Sequence, residues 1–217
     1  MKISIFCFVF LALISCKDTN SKQKVLPFLG NADVIYKVVN GKEIADTVFP
    51  KIPSFEYLNQ DSVLIKSSSM KGKIWVADFI FTNCQSICPK MTDEMKRLNN
   101  LTKDLSKSIQ FMSFSIDPKT DSPYVLKNYI KAKGIKAKNW QFFTGSEART
   151  HALGIDNFLI VAQEDIEAAG GYAHSEAFTL VDREGYVRGV YKTTDPKQVD
   201  QLEKDIRKLL KYEYAVN

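Results

Sequence analysis

The stretch "GKIWVADFIFTNCQSICPKM", residues 72–91, decides the fold of this chain. It opens on the continuous apolar run "IWVADFIFT", which is typical of a central strand covered on both faces. Cys84 and Cys88 follow, and apolar residues then recur at helical spacing, which predicts an amphipathic helix over residues 87–106. Those apolar residues are Met91, Met95, Leu98, Leu101 and Leu105. The sequence therefore places two thiols where a buried strand gives way to a helix.

Strands and helices alternate along the rest of the chain. Ser122 and Pro123 form a good helix start, as N-cap and first helical residue, and that helix ends near Gly134. Further strands are predicted at "IQFMSFSID" (109–117), "WQFFTG" (140–145), "NFLIVAQ" (157–163), "SEAFTLVD" (175–182) and "YVRGVYK" (186–192), with helices at "SEARTHALG" (146–154) and from Asp195-Pro196 onward. This order is that of a thioredoxin-like α/β sandwich, with a central mixed sheet flanked by helices.

An N-terminal β-hairpin is expected as an addition to that sandwich. β-branched and aromatic residues lie on both sides of Asn40-Gly41 within residues 34–49, and Asn-Gly is a strong two-residue hairpin signal. Short strand-like pieces around a turn at residues 59–61 follow before the central strand.

Length and charge limit the classes of function. The chain has 217 residues, of which 45% are hydrophobic, so we expect one globular domain with one sizeable core. Its 30 basic and 25 acidic residues give a formal charge of +5, but no nucleic-acid-binding motif accompanies the scattered lysines. Nucleic acid is therefore not an expected partner. The densest cluster, "KNYIKAKGIKAK" (127–138), is interpreted as a solvated helix face.

The N-terminus has the features of an export signal. Lys2 precedes an apolar run over residues 3–14, which is too short to span a bilayer as a mature helix. Leu13-Ile14-Ser15-Cys16 resembles the bacterial lipobox, in which the cysteine is lipidated and becomes the mature N-terminus; an ordinary cleavable signal peptide is the alternative.

The lipobox interpretation fixes the expected organisation of the chain. Residues 1–15 are a signal peptide, residues 16–30 a lipidated N-terminus and polar tether, and residues 31–217 the domain. The protein is then a membrane-anchored lipoprotein on the periplasmic side of a bacterial membrane. Only Cys84 and Cys88 remain as thiols, in a compartment where disulfides persist.

The spacing of the two cysteines allows either redox or metal chemistry. A helix N-terminus presents backbone N–H groups and the positive end of the helix dipole, which favour thiolate over thiol. Four positions along a helical turn bring both sulfurs to one face, close enough for a disulfide or for binding one metal ion.

The histidines help to choose between redox chemistry and metal binding. Two thiolates suit Cu(I), and one added imidazole gives a three-ligand site that also accepts Cu(II). The chain has two histidines: His174 follows two glycines in a loop that leads into a strand, whereas His151 is interpreted as a surface or half-buried side chain. His174 is the expected third ligand. A structural zinc site normally needs four ligands, and no fourth is evident.

In the sequences around these cysteines and His174, the chain resembles the Sco/SenC family of membrane-tethered, thioredoxin-like copper proteins. The resemblance rests on "GKIWVADFIFTNCQSICPKM" (72–91), "FSIDPKTDSPYVLKNY" (114–129) and "YAHSEAFTLVDREG" (172–185). It implies copper ligation, as Cu(I) or Cu(II), by Cys84, Cys88 and His174. Asp117 matches an acidic position near that site, where it could support the ligands or simply cap the turn at Pro118.

The resemblance also implies a partner. It points to delivery of copper to, or reduction of the thiols of, the dinuclear copper centre of cytochrome c oxidase, so the copper-bearing subunit of that enzyme, or another copper or thiol protein, is expected to bind. Many family members have Pro directly after the first cysteine, where this chain has Gln85, so copper affinity or redox potential can differ.

Two other functions use the same thiols. The alternative to a copper chaperone is a thiol:disulfide oxidoreductase, in which one thiolate attacks a partner disulfide and the other resolves the mixed disulfide. A peroxidase is disfavoured, because the proline expected four residues before Thr82 is replaced by Asp78.

Overall fold

The computed structural model describes residues 24–164 and 172–215, with backbone alone for residues 162–164 and 172–174. The predicted signal peptide, Cys16 and the first part of the predicted tether lie outside the described residues.

A seven-stranded mixed sheet forms the centre of the domain. Its strand order is β11-β10-β5-β6-β7-β3-β4, with β5, β6 and β7 parallel and the other pairs antiparallel. These strands are β3 (Glu56–Asn59), β4 (Leu64–Lys66), β5 (Ile74–Ile80), β6 (Ile109–Ser115), β7 (Trp140–Thr144), β10 (Ala177–Val181) and β11 (Val187–Lys192). Every residue of β5 and β6 is buried, as the continuous apolar runs predicted.

In the described part of the chain, four α-helices flank the sheet: α1 (Cys88–Leu101), α2 (Pro123–Ala132), α3 (Glu147–Ala152) and α4 (Pro196–Lys208). The Ser122 hydroxyl caps α2 by accepting from the Val125 N–H, with Pro123 in the first turn, as predicted. The Asp195 carboxylate caps α4 in the same way. Helices α1 and α4 pack side by side, and Arg97 joins them through its ion pair with Asp200.

The sheet separates two parts of the core. One face carries a cluster of aromatic rings in mutual contact, centred on Phe114, with Phe79, Phe143 and Phe158 around it. The side chains of Met91, Met95 and Leu98 are fully buried and join the core from α1. Alternation along β5 directs Phe79 to the aromatic cluster and Asp78 to the opposite face, so the sheet supplies both a packing face and a polar group near the cysteines.

The predicted N-terminal hairpin is confirmed. Strands β1 (Asp33–Val39) and β2 (Lys42–Val48) pair antiparallel around Asn40-Gly41, both of which have positive φ, as a type I′ turn requires. The hairpin forms a sheet of its own and is exposed along nearly its whole length.

The structure differs from the predicted strand at residues 157–163. Only β8 (Ala162–Glu164) is extended there, and it pairs with β9 (Tyr172–His174). The α3 helix continues into a wider turn at Leu153–Asn157, and Leu159 adopts a φ of 59°. A left-handed residue cannot continue a strand, although burial of Phe158 and Ile160 explains the apolar pattern.

The described part of the predicted tether lies against the domain. Val25, Leu26 and Leu29 pack on the core, and the buried Arg188 donates to the carbonyl oxygens of Leu26 and Pro27. In the described portion of the chain, no helix has the length and apolar character needed to cross a bilayer.

Candidate metal and redox centre

The two cysteines lie in the loop between β5 and α1, at the carboxyl end of the parallel strands. β5 ends at Ile80, and Cys88 is the first residue of α1, with Pro89 in the first turn. The Cys84 N–H donates to the Phe81 carbonyl at 3.2 Å, which closes the loop back on the strand. Proline is tolerated at this point because the first N–H groups of a helix have no intrahelical acceptor.

The loop brings the two sulfur atoms of the pair to one place. The backbone N–H of Cys88 donates to Sγ of Cys84 at 3.4 Å, and the Ser86 hydroxyl lies 3.5 Å from the same sulfur. Cys84 is 5% exposed and Cys88 is fully buried, whereas Gln85 is exposed. Cys84 is therefore the more accessible residue of the pair, although both are buried.

The predicted thiolate character does not hold for Cys88. Its hydrogen bond with Cys84 and its burial raise the pKa of the Cys88 thiol, and the nearby negative charges of Cys84 and Asp78 add to that rise. A helix N-terminus favours thiolate, but in this site the hydrogen bond with Cys84 and burial both favour the protonated Cys88. A metal ion or an attacking group must therefore displace a tightly held proton from Cys88.

A buried carboxyl group lies on the cysteine side of the sheet. Asp78 is 1% exposed, and neither of its carboxylate oxygens makes a hydrogen bond of normal geometry with a described residue. Burial raises the pKa of Asp78 to about 7, although the Ser113 hydroxyl on the neighbouring strand opposes part of that rise. From the sequence, Asp78 bears only on the exclusion of a peroxidase, and its position within a continuous apolar run is the signal that it is buried.

Asp121 is a second site residue that was not predicted from the sequence. Its carboxylate accepts hydrogen bonds from the N–H and the hydroxyl of Thr82, and from the Ser115 hydroxyl at 2.6 Å. Burial raises the pKa of Asp121, and these hydrogen bonds oppose the rise. The contact fixes the start of the cysteine loop against the segment that leads into α2. An acidic residue next to the predicted helix start was the only sequence signal.

The structure places the backbone of His174 at the cysteine end of the sheet. His174 ends β9 and pairs with Ala162, and the chain enters β10 three residues later. β10 runs antiparallel to β5, with Thr179 opposite Ala77, so the start of β10 lies at the carboxyl end of β5. The side chain of His174 lies outside the described residues, so its ligation of a metal stays a prediction.

Asp117 follows β6 at the same end of the sheet. Its carboxylate accepts from the Thr120 N–H at 3.2 Å, which is the turn-capping contact that the sequence allowed. Any support that Asp117 gives to metal ligands also stays a prediction.

The other histidine is held by a strand end. His151 is partly buried, as expected, and its Nε2 lies 2.9 Å from the Ile116 carbonyl oxygen. Among the described side chains, no group of three cysteine, histidine or acidic residues is arranged to hold a metal ion. The described residues therefore supply a pair of adjacent sulfurs, which suits a soft metal ion or a disulfide.

Comparison with known proteins finds matches over most of the chain. A model of the SCO1/SenC family matches residues 46–211. The chain is 32% identical over 168 residues to a SCO1 protein homolog of Bacillus subtilis, covering 77% of this chain and 86% of the relative.

Solved structures share the fold. The crystal structure of a SCO1/SenC family lipoprotein from Bacillus anthracis superposes with a TM-score of 0.67 at 34% identity, covering 73% of this chain and 94% of the relative. A structure of BsSco, described as a Sco-family cytochrome c oxidase assembly protein with a disulfide switch, gives 0.65 at 32% identity, with coverages of 72% and 91%. The predicted thioredoxin-like sandwich with a mixed, helix-flanked sheet is confirmed.

Proposed function

Because the chain belongs to the SCO1/SenC family, we propose that it is a membrane-tethered copper chaperone that assists assembly of the dinuclear copper centre of cytochrome c oxidase. Copper is the cargo, and its ligands are Cys84, Cys88 and His174. The observation that carries the proposal is the pair of adjacent cysteine sulfurs within the family-matched region, with the Cys88 N–H 3.4 Å from Sγ of Cys84.

The donor set suits copper. Two thiolates bind Cu(I), and an imidazole that completes a three-ligand site stabilises Cu(II) as well. The pair is enclosed by the core on one side and by an exposed loop on the other, so the ion is shielded from bulk water yet close to the surface. Relatives of this fold have been solved with copper bound, including ScoI of Bradyrhizobium japonicum at 19% identity and yeast Sco1 at 23%.

The accessibility of the two sulfurs suggests the order of transfer. Cys84 is nearer the surface, so a thiol of the acceptor protein first replaces the sulfur of Cys84 on the copper ion. Cys88 and His174 then release the ion in turn. Such ligand exchange needs a partner with its own thiols, which the copper-bearing subunit of cytochrome c oxidase would supply.

The location follows from the N-terminus. The Bacillus anthracis relative is described as a lipoprotein, which supports lipidation of Cys16 in this chain. We place the domain outside the cytoplasm, anchored by acyl chains, with residues 1–15 removed. Replacement of Cys16 by Ser should then move the protein from the membrane fraction to the soluble fraction, and the mass of the mature N-terminal peptide should lose its acyl groups.

A thiol:disulfide oxidoreductase is the second candidate, and the same sulfur pair favours it. The Cys84 thiolate would attack a partner disulfide and release one partner thiolate; Cys88 would then attack Cys84, releasing the second and leaving a disulfide in this chain. Two electrons pass to the partner. BsSco is described as having a disulfide switch. The two activities are compatible, since oxidation of the pair removes both thiolate ligands.

Copper titration of the reduced chain tests the ligand set. A chain that starts at Lys17 keeps every described residue, and the soluble domain of Bacillus subtilis Sco1, 32% identical, has been solved by itself in solution. The parent should bind one Cu(II) per chain with a thiolate-to-copper charge-transfer band. Cys84→Ser and Cys88→Ser should abolish that band and disulfide formation together.

The two histidines provide a matched comparison. His174→Ala should lose Cu(II) binding while its disulfide still forms, whereas His151→Ala should bind Cu(II) like the parent. Unchanged Cu(II) binding by His174→Ala would refute the ligand assignment. Failure of the parent to bind copper, together with rapid disulfide exchange, would favour the oxidoreductase.

A further inference from the structure

A lysine-rich cleft lies at the end of the sheet opposite to the cysteines. It has a volume of about 690 Å³ and is open to solvent. Its walls are the end of α1 and the following turn on one side, and the segment between α2 and β7 on the other. Six lysines line it: Lys73, Lys96, Lys103, Lys107, Lys136 and Lys138. None of its lining residues is acidic.

Most of these charges are not compensated. Within the described residues, Lys96 pairs with Asp93 at 3.6 Å, and the other five lysines form no ion pair. Lys103, Lys107, Lys136 and Lys138 are exposed. Six like charges around one cleft repel one another, and binding of an anionic surface relieves that repulsion.

The floor of the cleft is rigid and polar. The side chains of Asn99 and Asn139 bond to each other at 3.1 Å, and Gln110 donates to the Asn139 carbonyl oxygen at 3.1 Å. The Asn139 amide also donates to the Ile109 carbonyl oxygen. These contacts fix the segment that carries Lys136 and Lys138 relative to β6, so the lysines are presented by an ordered surface.

The chain leaves the domain toward its N-terminus at this same end. Val181 pairs with Trp75 near the start of β5, so Asp182 and Arg188 lie at the strand-start end of the sheet. Arg188 holds the carbonyl oxygens of Leu26 and Pro27 there. β11, which carries Arg188, is two strands from β5, or roughly 10 Å.

The distance to Cys16 limits how far this end can be from a membrane. Seven residues separate Cys16 from Lys24, so a fully extended chain spans less than about 30 Å. If Cys16 is lipidated, the domain is held close enough to the bilayer for the lysine-rich cleft to contact it. The cysteine loop is then turned away from it, since β5 alone separates the two ends by roughly 20 Å.

We propose that the lysine-rich cleft docks the domain on a membrane surface that contains anionic phospholipids, with the cysteine loop facing away from the bilayer. The choice of a membrane as the partner of the cleft rests on the lipid anchor proposed above. The docking itself does not depend on copper. An acyl anchor and a basic surface that bind together hold a protein on a membrane more firmly than either does alone. Lys127 and Lys131, from the lysine cluster of the sequence, do not line the cleft.

Vesicle binding tests the proposal with the chain that starts at Lys17, which carries no acyl group. The probes are vesicles of phosphatidylcholine alone and vesicles with about 30% phosphatidylglycerol, at an ionic strength of about 0.1 M. The parent should bind only the anionic vesicles. The variant Lys107→Gln/Lys136→Gln/Lys138→Gln should bind them about 100-fold more weakly, since each lysine near an anionic surface contributes about fivefold.

A matched control separates the cleft from net charge. The variant Lys192→Gln/Lys197→Gln/Lys204→Gln removes three exposed lysines outside the cleft, and its vesicle binding should change by less than about threefold. Equal losses in the two variants would overturn the proposal in favour of unspecific attraction. Absence of vesicle binding would also overturn it, and saturable binding of inorganic phosphate in that case would identify a small-anion site instead.

Copper binding distinguishes this proposal from the proposed function. The cleft variant should bind copper like the parent, because its substitutions lie at the other end of the sheet. A parent that binds anionic vesicles through the cleft but takes up no copper would refute the chaperone and leave the docking surface in place.

Discussion

The carboxylate of Asp121 accepts a hydrogen bond from the backbone N–H of Thr82 at 3.1 Å, across 39 positions of sequence. Thr82 lies two residues before Cys84, so this contact fixes the end of the cysteine loop that leaves β5. The other end is fixed by α1, which begins at Cys88. Both ends of the loop are therefore fixed, and they set the positions of Cys84 and Cys88 relative to each other.

Replacement of Asp121 should loosen the cysteine loop. Asp121→Ala removes the acceptor for the Thr82 N–H and for two hydroxyl groups in a buried site, so we expect a loss of about 2–3 kcal/mol in the free energy of unfolding. Urea unfolding measures that loss. Copper affinity should fall as well, because part of the binding energy must then order the loop.

The matched control for Asp121 is Asp93. Asp93 is an exposed carboxylate on α1, and its only described contact is the ion pair with Lys96, so Asp93→Ala should leave both stability and copper affinity unchanged. An Asp121→Ala variant with parental copper affinity would show that the loop is ordered without this contact.

The two cysteines should differ in their reactivity. Cys84 is nearer the surface, and the pKa of Cys88 is raised by its hydrogen bond with Cys84 and by burial, so an alkylating reagent should meet a thiolate more often at Cys84. In the reduced, folded chain from Lys17 we expect iodoacetamide to label Cys84 at least about tenfold faster than Cys88. Both cysteines lie in one tryptic peptide, residues 74–90, so fragmentation of that peptide in the mass spectrometer after short exposure locates the label and measures the ratio. In denaturant the two rates should converge, and a folded protein that labels Cys88 first would contradict this order of reaction.

Much of the fold could be predicted from the sequence because short local patterns determine it. Continuous apolar runs marked β5 and β6, Asn40-Gly41 marked the hairpin, and Ser122-Pro123 marked the start of α2. Where the outcome depended on backbone conformation, prediction failed: the buried Phe158 and Ile160 gave residues 157–163 a strand-like pattern, but the left-handed Leu159 breaks it.

The site was predictable only in part, because residue types do not reveal burial. The four-residue spacing predicted two neighbouring cysteines, and the Cys88 N–H donates to Sγ of Cys84, although Cys84 precedes α1 and does not share a helical turn with Cys88. The high pKa of Cys88 was not predictable, because it depends on how deeply the first turn of α1 is packed. The contact between Asp121 and Thr82 joins segments that are distant in sequence, and no local pattern predicts such a contact.

Asp78 should make stability depend on pH. Its pKa in the folded protein is about 7, above the ordinary value of 3.8, so the folded state holds this proton more tightly than the unfolded state does. Stability contributed by the proton is present below about pH 4 and is lost as the pH rises toward 7. Asp78→Asn carries no charge, so it should be more stable than the parent above pH 7, by up to about 4 kcal/mol, with little difference at pH 4.

Urea unfolding of the parent and Asp78→Asn at several pH values between 4 and 8 measures this difference. Asp93→Asn, which changes an exposed carboxylate, should follow the parent at every pH. If the free energy of unfolding of Asp78→Asn exceeds that of the parent by the same amount at pH 4 and at pH 8, the gain comes from better packing and not from removal of a buried charge. Asp78→Asn should also lower the pKa of Cys88, since the charge of Asp78 is among the causes that raise that pKa.

Glu213 should have the opposite dependence on pH. Burial would raise the pKa of Glu213, but hydrogen bonds from Arg188, the Val25 N–H and Lys24 lower the pKa to about 2, below the ordinary value of 4.5. The stabilisation is therefore present above about pH 4.5 and is lost as the pH falls toward 2. Glu213→Gln should cost about 2–3 kcal/mol at pH 7, because Arg188 is fully buried and, among the described residues, keeps only Asp182 as an ionic partner.

The pH at which the stability difference between the parent and Glu213→Gln disappears shows whether the difference arises from the charge of Glu213. Thermal unfolding of the parent and Glu213→Gln should show a difference that is constant from pH 7 to about 5 and shrinks below pH 4.5 as the parent takes up the proton. The exposed carboxylate of Glu43, on the hairpin, gives the control, and Glu43→Gln should leave the curve unchanged. Because Glu213 also accepts from Val25, its replacement should speed amide hydrogen exchange at Val25, at the point where the chain leaves the domain toward Cys16. Parallel stability curves down to pH 2, with unaltered exchange at Val25, would mean that Arg188 and the core hold this segment without Glu213.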